Sequence, residues 1–559
     1  MDITFWYVVA SIILIIIVLR IFAYIQKQQI LRLIRTEYGV NRTQIYDGRR
    51  IDQVARYYYQ LRSDSVDTLD DQTWLDLQMN EIFRTLDYTQ SSIGSEYLYA
   101  QLRQQNKINA NRFEEQVTYF SNHPNEREAL QYEFRMMKTK DDNKFVEHIA
   151  SESAFASFQT GVVSFMGIMG FFTTLYCILY PSSALEDGLG IIAIGIILIG
   201  QFMMSSAIYE RTKDTWDTMI MFCKVFKKLK VLEKLDPNVF EDELKEVARI
   251  KKAMTSHASF VVTYVELTMG SSSANAIFYV IAAFYGLYGI ALQQAKKLFI
   301  KNRGDILSLY DLIGHLETCI AVASYRQFKG EYCTPTFHDS ASINAVSVYH
   351  PLIKKPVKNT KHVDRLSMVT GANASGKTTF ARTLAVNVVL SQTINTAMAT
   401  AFQFKLGNVY SSITISDDLL GGDSFYMAEI KRLKEMVSLS QGGTYTMFFM
   451  DEMLKGTNAV ERIAAASTIL DTFAQGDCFL LLTTHDIELT QLLGSKYSNY
   501  HFKEVTTDQE ITYDYRIYDG ITTGSNAIAL LRVCNYDEDI VVEAQKRADH
   551  YGATNTWIA

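Results

Sequence analysis

Three runs of this chain lack charge over lengths that suit a bilayer, and the rest alternates between helical and strand-like spacing. The first run, Ile3–Leu19, is followed by Arg20, Lys27, Arg32 and Arg35. A cleaved signal carries its positive charge before the apolar run and a small-residue site after it. The reversed order predicts an uncleaved anchor within residues 1–25, with a buried core helix as the plainer alternative. Seventeen helical residues span roughly 26 Å, close to a bilayer core. The second and third runs, Ser153–Leu185 and Gly188–Tyr209, flank Glu186 and Asp187. They predict a transmembrane hairpin over residues 151–209.

The cations orient these spans. Residues 20–50 hold seven Lys/Arg against two Asp/Glu, and Arg211 and Lys213 follow the third run. Both flanks are therefore expected in the cytoplasm, with the N-terminus and the hairpin turn outside. A fourth stretch, Leu267–Ala295, is uncharged but rich in Ser, Gly and Tyr. One further crossing would put the rest of the chain outside, away from ATP, so a buried helix or a subunit contact is expected there.

Residues 26–150 read as a cytoplasmic helical region. In Trp74–Arg103 the apolar positions Leu75, Met79, Ile82, Phe83 and Leu86 recur at helical spacing. Residues 210–330 continue as helix. Within 331–559, short β-rich runs such as Leu366–Thr370, Tyr445–Met450 and Phe479–Thr484 alternate with helical stretches. That alternation predicts a parallel sheet with crossover helices.

The length of 559 residues suggests three or four domains. With 48% hydrophobic and 21% charged residues, the composition excludes a disordered or collagen-like chain. Only six prolines interrupt it, as long helices require. The six cysteines form no CxxC pair, so neither zinc nor a disulfide framework is expected. The net charge of −7 does not advertise nucleic-acid binding. Residues 209–330 are mildly basic, with 17 Lys/Arg against 13 Asp/Glu. A solvated helix face near the inner leaflet and a phosphate-contacting surface both accommodate that excess.

The chemistry is concentrated in three short segments. Residues 371–378 read Gly-Ala-Asn-Ala-Ser-Gly-Lys-Thr, a G-x4-G-K-T phosphate loop between a strand and a helix. Gly371 and Gly376 let the backbone curl round phosphates. Lys377 faces the β/γ oxygens, and Thr378 offers a hydroxyl to Mg²⁺. The intervening Ala372, Asn373, Ala374 and Ser375, with Thr379 beyond, complete the candidate ATP contacts. A second apolar run ends in Asp451 and Glu452, 74 residues beyond the loop lysine. Asp451 is the candidate Mg²⁺ ligand and Glu452 the candidate base or water-positioning group. A third run ends at His485, which can reach the γ-phosphate side or simply cap its loop.

Together these elements resemble the MutS mismatch-repair ATPase family. Thr370–Thr379 resembles the family's TGPNxGGKS loop, with Ala372 for the usual proline and Ser375 for a usual glycine. Asp451–Thr457 resembles its DE-x-x-x-GT segment, Thr483–Leu489 its TH-x-x-EL segment, and Val348–Ile353 its opening HP element. Asp417–Glu429 resembles the signature ending in S-x-x-M-x-E. In that family the serine reaches the partner subunit's γ-phosphate, which implies the same for Ser424, although an ordinary N-cap is the simpler role. Gly520–Val533 and Asp539–Arg547 resemble the closing part. Leu86–Gly94 and Asp305–Arg326 resemble pieces of the helical core more weakly.

The resemblance implies an α/β P-loop NTPase domain of the ABC/MutS type over 331–559 with an all-α core or lever region, to which the uncharged runs add transmembrane helices. It implies a homodimer paired through that domain and hydrolysing ATP with Mg²⁺. The departures are equally informative. About 75 residues precede the core-like segment, too few for mismatch-reading and connector domains. Phe113-Glu114-Glu115 lies in the wrong place for the family's base-stacking wedge. The hairpin stands where the family has DNA-clamping levers. The expected protein is a membrane-anchored ATPase of the plasma membrane, its partners the lipid bilayer and a second copy, with DNA left open as a candidate ligand and mismatch reading not carried over. An ABC-like transport or membrane-remodelling ATPase is the alternative.

Overall fold

The computed structural model describes the chain apart from residues 1–2, 42–47, 62–67, 106–108, 138–143, 151–159, 180–187, 270–272, 286, 373, 414–424, 507–510, 522–527, 529–530, 533–535, 555 and 559. In chain order the helices begin with α1 (Ile3–Glu37), α2 (Gly48–Leu61), α3 (Asp71–Asp76), α4 (Met79–Leu86), α5 (Ser92–Arg103), α6 (Ala110–Asn122), α7 (Pro124–Arg135) and α8 (Phe145–Ala150). They continue with α9 (Thr160–Leu179), α10 (Gly188–Arg211), α11 (Lys213–Lys227), α12 (Leu229–Leu232), α13 (Glu241–Met269), α14 (Ser273–Phe284), α15 (Leu287–Lys301) and α16 (Arg303–Lys329). Strands then appear: β1 (Thr336–Phe337), β2 (Ile343–Val348), β3 (Asn359–Val363) and β4 (Leu366–Thr370), followed by α17 (Lys377–Ile394), β5 (Ala401–Phe404) and β6 (Asn408–Ser412). The remainder is α18 (Phe425–Ser440), β7 (Thr446–Asp451), α19 (Ala459–Gln475), β8 (Cys478–Thr483), α20 (Ile487–Leu493), β9 (Ser498–Thr506), β10 (Ile511–Asp519) and α21 (Glu538–Thr554).

These elements form two compact units. The first comprises Met1–Asp64, Asp87–Ala100 and Glu115–Phe328 and is helical. Its helix α16 is long and apolar, yet 78% of its best 18-residue window is buried in protein, as a core helix requires. By contrast, the apolar window in Ile13–Glu37 of α1 is 0% buried. Helices α9 and α10, in the expected hairpin, also turn large apolar side chains outward, among them Phe165, Phe172, Ile196 and Met203. The fourth uncharged stretch is not uniformly buried as expected. It divides into the end of α13, then α14 and α15, with Ile277 and Ile281 exposed while Ala282, Tyr288 and Ala295 are buried.

Glu317 is buried in this unit and Glu96 partly buried. Glu317 of α16 accepts the backbone N–H of Ser91 at 3.1 Å and that of Gln90 at 2.5 Å, just before α5. Glu96 of α5 is bonded by the Tyr310 hydroxyl. Burial pushes their carboxyls up, to about 7 for Glu317 and about 8 for Glu96.

The second unit comprises Ser65–Leu86, Gln101–Glu114 and Lys329–Ala559. Two segments of the expected 26–150 helical region therefore fold with the ATPase-like part. Trp74–Arg103 is not one helix. Gln78 takes a positive φ of 55° between α3 and α4, which rotates the apolar stripe. Met79, Ile82, Phe83 and Leu86 are buried as expected, but Leu75 is exposed.

A six-stranded sheet runs β10-β9-β4-β8-β7-β6, parallel except for β10. Strands β4 (LSMVT) and β8 (CFLLLT) are buried at every position, as strands covered on both faces must be. A four-stranded sheet, β1-β5-β2-β3, accompanies it. Phe448, Leu470, Phe473, Leu480 and Leu482 anchor one side of the core. Helix α3 covers β6: Asp76 accepts the Ser411 hydroxyl at 2.6 Å and the Ile413 N–H at 2.8 Å. Beside it Arg432 donates to both carboxylate oxygens of Asp70 at 3.1 Å. Phe113 is buried at 2% exposure, so its ring has no free face for a nucleic-acid base.

Candidate functional site

Three neighbouring strands bring the chemistry together. Strand β8 lies between β4 and β7, and its Thr483 is in register with both Val369 and Asp451. The loop after β4, the carboxylates after β7 and the histidine after β8 therefore share the carboxyl edge of the sheet. Ligands of open α/β sheets bind at that edge.

The loop after β4 is shaped for an anion. Gly371 has φ 145° and Gly376 φ 105°, conformations that cost glycine little. A Cβ at Gly371 would sit 3.1 Å from the Phe502 carbonyl, and one at Gly376 would sit 3.2 Å from the Tyr515 ring. Ala374 also has positive φ, at 67°. Gly376 caps α17 without a side chain, so the first-turn N–H groups face the loop. Lys377 is nearly buried, its ammonium donating to the Gly371 carbonyl and to the Ala372 carbonyl at 3.0 Å. Ser375 has a buried hydroxyl with no hydrogen-bond partner among the described residues. Thr379, on the first turn of α17, lines a cavity beside the loop. Asn373 lies outside the described residues.

The carboxylates meet this loop directly. The Thr378 hydroxyl donates to Asp451 Oδ1 at 3.0 Å, and the Thr483 hydroxyl donates to the same oxygen. The second oxygen of Asp451, Oδ2, lies 3.9 Å from the Lys455 ammonium. Hard oxygen donors of this kind fit Mg²⁺. Glu452 has φ 54°, and its N–H is bonded to the Thr483 carbonyl at 2.8 Å. Its carboxylate meets His485 Nδ1 at 3.1 Å and Lys455 at 3.7 Å. Asp486 lies 3.7 Å from His485 Nε2 and is held bidentately by Arg462 at 2.7 and 3.0 Å. All the candidate residues within the described chain therefore converge. Ser424 lies outside the described residues, as does most of Ser525–Leu531.

Sequence reasoning passed over several residues that shape this edge. Glu429, at the end of the S-x-x-M-x-E signature, is buried and accepts the Leu454 N–H at 2.6 Å. Burial raises its carboxyl pKa, opposed by that hydrogen bond. It thereby ties α18 to the strained loop after Glu452, where Leu454 also has positive φ. Thr483 joins the site through strand adjacency, Arg462 through its pair with Asp486, and Lys455 as a local neighbour three residues after Glu452. Thr483 and Lys455 lie inside the TH-x-x-EL and DE-x-x-x-GT segments, whereas Arg462 carries no local signal.

A cavity of about 210 Å³ opens between this loop and the HP element. His350, Ile353, Pro356, Val357, Phe380 and Tyr515 line it beside Gly376 and Thr379. His350 Nδ1 accepts the Leu352 N–H at 3.3 Å, while its buried Nε2 has no partner among the described residues. Burial holds the His350 pKa down to about 4, assisted by the charges of Arg382 and Lys329. At neutral pH the ring is uncharged, with Nε2–H left as a donor. The walls are mostly apolar, as a ring-binding pocket requires.

Residues 367–551 match the family model of MutS domain V. The DNA mismatch repair protein MutS of Thermus caldophilus is 24% identical over 273 residues, covering 47% of this chain and 33% of that protein. The protein of the same name from Streptococcus mutans serotype c is 25% identical over 272 residues, covering 45% and 31%. The chain thus spans about a third of the length of the curated relatives it matches.

Proposed function

On the premise that the chain belongs to the MutS family through its domain V, we propose that it is a membrane-anchored ATP hydrolase. ATP binds and is cleaved at the carboxyl edge of the six-stranded sheet. The observation that carries this reading is the meeting of Thr378 and Asp451 at 3.0 Å, with Glu452 and His485 beside them.

In this mechanism the backbone N–H groups of the loop and of α17 cradle the phosphates, and Lys377 leaves the loop carbonyls to contact the β/γ oxygens. Thr378 and Asp451 would hold Mg²⁺, which would supply positive charge to the phosphates when bound. Glu452 orients and deprotonates the attacking water, while His485 fixes the Glu452 carboxylate and senses the γ-phosphate. The purine and ribose enter the cavity lined by His350, Val357 and Tyr515. Two copies pair through this domain, and Ser424 reaches the partner's γ-phosphate. ATP favours the paired form because it binds that form better.

Three helices hold the protein in the plasma membrane, with the N-terminus outside and the ATPase domain in the cytoplasm. The outward apolar side chains of α1, α9 and α10 support contact of these helices with lipid. DNA is a candidate ligand by kinship alone. Residues 342–559 carry 19 Lys/Arg against 23 Asp/Glu, so their bulk charge does not favour it.

The test is ATP hydrolysis by the full chain in lipid nanodiscs, without DNA and with homoduplex, mismatched or branched DNA, using Lys377→Ala as the blank. A Lys377-dependent rate supports the ATPase, and its absence overturns it. Stimulation by DNA that fades with salt identifies a nucleic-acid enzyme. Indifference to DNA leaves a membrane or protein partner as the coupled ligand.

A further inference from the structure

The uncharged stretch between α13 and α15 has a geometry that neither a crossing nor a buried helix explains. Tyr209, Trp216, Tyr264 and Tyr288, from α10, α11, α13 and α15, form one aromatic cluster. Ring centroids are 6.2 Å apart for Tyr209–Trp216, 5.8 Å for Trp216–Tyr264 and 5.4 Å for Trp216–Tyr288. Arg211 and Lys213 follow Tyr209 at once. Three of these rings are packed between helices, and the cations that end the uncharged run of α10 beside them set the membrane–water boundary at this level.

Heights above this boundary follow from helical rise. Met269, the last residue of α13, lies five residues past Tyr264, about 7 Å further on. On the return side, Phe284 packs against Phe202 with centroids 5.5 Å apart. Phe202 precedes Tyr209 by seven residues in α10, about 10 Å. Helix α14 therefore joins two points at similar heights. It also lies at 85° to α15. A helix so placed runs along the membrane plane. Ile277, Val280 and Ile281 are exposed at helical spacing on one face; on the other Ala282 and Ala283 are buried, with the longer Tyr279 reaching out at 38% exposure.

Polar groups and charges agree with this depth. No water reaches hydrocarbon, so helix ends there must be satisfied internally. Asn275, though on the surface, turns its amide back to the Glu266 and Leu267 carbonyls at 2.9 and 2.8 Å. The Thr268 hydroxyl donates to the Tyr264 carbonyl at 2.7 Å. Glu266, the last charge before the stretch, is paired with Lys227 at 2.7 Å. Cations stand on both flanks, Lys251 and Lys252 before and Lys296 and Lys297 after. Cations at both ends favour one side of a bilayer for both.

We infer that α14 is an in-plane helix seated in the cytoplasmic leaflet, its Ile277, Val280 and Ile281 face on lipid acyl chains. It enters and leaves on the side of the ATPase domain. The inference rests on the membrane reading of the α9–α10 hairpin and adds to it a shallow wedge that crosses nothing. The insertion reaches about 10 Å into a core of about 30 Å. Such a wedge occupies one leaflet only, so its movement would couple this unit to the packing of that leaflet.

The test uses the full chain in proteoliposomes holding phospholipids with a diazirine near the headgroup or at the chain terminus. Adducts are mapped by mass spectrometry after photolysis. Peptides of α14 should label about tenfold more with the shallow probe than with the deep one, and peptides of α9 and α10 with both. An impermeant amine reagent should reach Lys296 and Lys301 from the ATPase side. Labelled α9 and α10 with unlabelled α14 overturns the inference and leaves the hairpin standing. Equal deep labelling of α14, or lysines reachable only from the opposite side, makes it a crossing and overturns it. Absence of adducts on α9, α10 and α14 alike removes both readings.

Discussion

His485 Nδ1 meets Glu452 Oε1 at 3.1 Å, and the opposite ring nitrogen faces Asp486 at 3.7 Å. The imidazole therefore spans two carboxylates from the ends of adjacent strands, and the Arg462 pair fixes the outer one. The inner carboxylate is held by the histidine and by the partly exposed Lys455 at 3.7 Å. A carboxylate fixed in this way at the sheet edge can orient a water.

Glu452→Gln should keep ATP affinity and lower kcat by about 10²–10⁴, the range of general-base contributions. Nucleotide titration beside a phosphate-release assay separates the two quantities. Hydrolysis at the wild-type rate would move the base elsewhere.

Glu429 holds the Leu454 N–H at 2.6 Å. Glu429→Ala leaves that donor unsatisfied at a cost of about 1–3 kcal/mol. The expected outcome is a lower melting temperature and a reduced kcat with KM little changed. Glu429→Gln, which keeps an acceptor, should restore most of both. A KM effect equal to the kcat effect would instead point to direct nucleotide contact.

His350→Phe keeps the ring and removes the Nε2–H donor. If that donor meets the nucleoside, ATP affinity falls by about five- to tenfold, the worth of a net hydrogen bond. Titration with a fluorescent nucleotide reads this. Unchanged affinity would assign the cavity to packing.

The two units should respond to pH with opposite signs. Glu96 and Glu317 have folded pKa values raised to about 8 and about 7 from 4.5, so their unit binds more protons folded than unfolded. Their contribution is present at low pH and is lost as pH rises from about 4.5 to 8. His350 is held down to about 4 from 6.5, so its unit loses stability as pH falls from about 6.5 to 4. Thermal unfolding across this range should show the helical unit weakening toward pH 8. Glu96→Gln should flatten that slope, and a slope unaltered in the variant would remove Glu96 as its source.

Asp70 accepts both the Arg432 guanidinium and the Thr73 N–H at the start of α3. Asp70→Ala removes a cap and strands a largely buried cation, together about 2–4 kcal/mol. Calorimetry on the full chain should show the loss. A shift within error would mean that α3 docks without this pair.

The chemistry was legible because each motif is local. The strand, turn and helix around 366–394 are written in one continuous segment, and Gly371 and Gly376 announce its curvature. The strands ending at Asp451 and Thr483 are apolar at nearly every position, the mark of parallel strands covered on both sides. What escaped depends on pairs distant in sequence. Nothing near Glu429 indicates that Leu454 is its partner, and nothing near Asp76 points to Ser411. Leu75 fits the helical stripe of its neighbours, but the positive φ of Gln78 breaks the phase. The stretch after Leu267 reads as one apolar run because its right-angled turn leaves no charge or proline to mark it.

The covering of β6 by α3 has a consequence for biosynthesis. The Asp76–Ser411 bond joins residues 335 apart, so α3 leaves the ribosome long before the strand it covers exists. At ordinary translation speed that interval is on the order of tens of seconds. During it, Trp74, Met79 and Phe83 have no mature core to enter. A nascent chain arrested between residues 100 and 400 should therefore bind holdase chaperones through this segment. A C-terminal fragment begun at residue 329 would leave the β6 edge bare and prone to pairing with other chains.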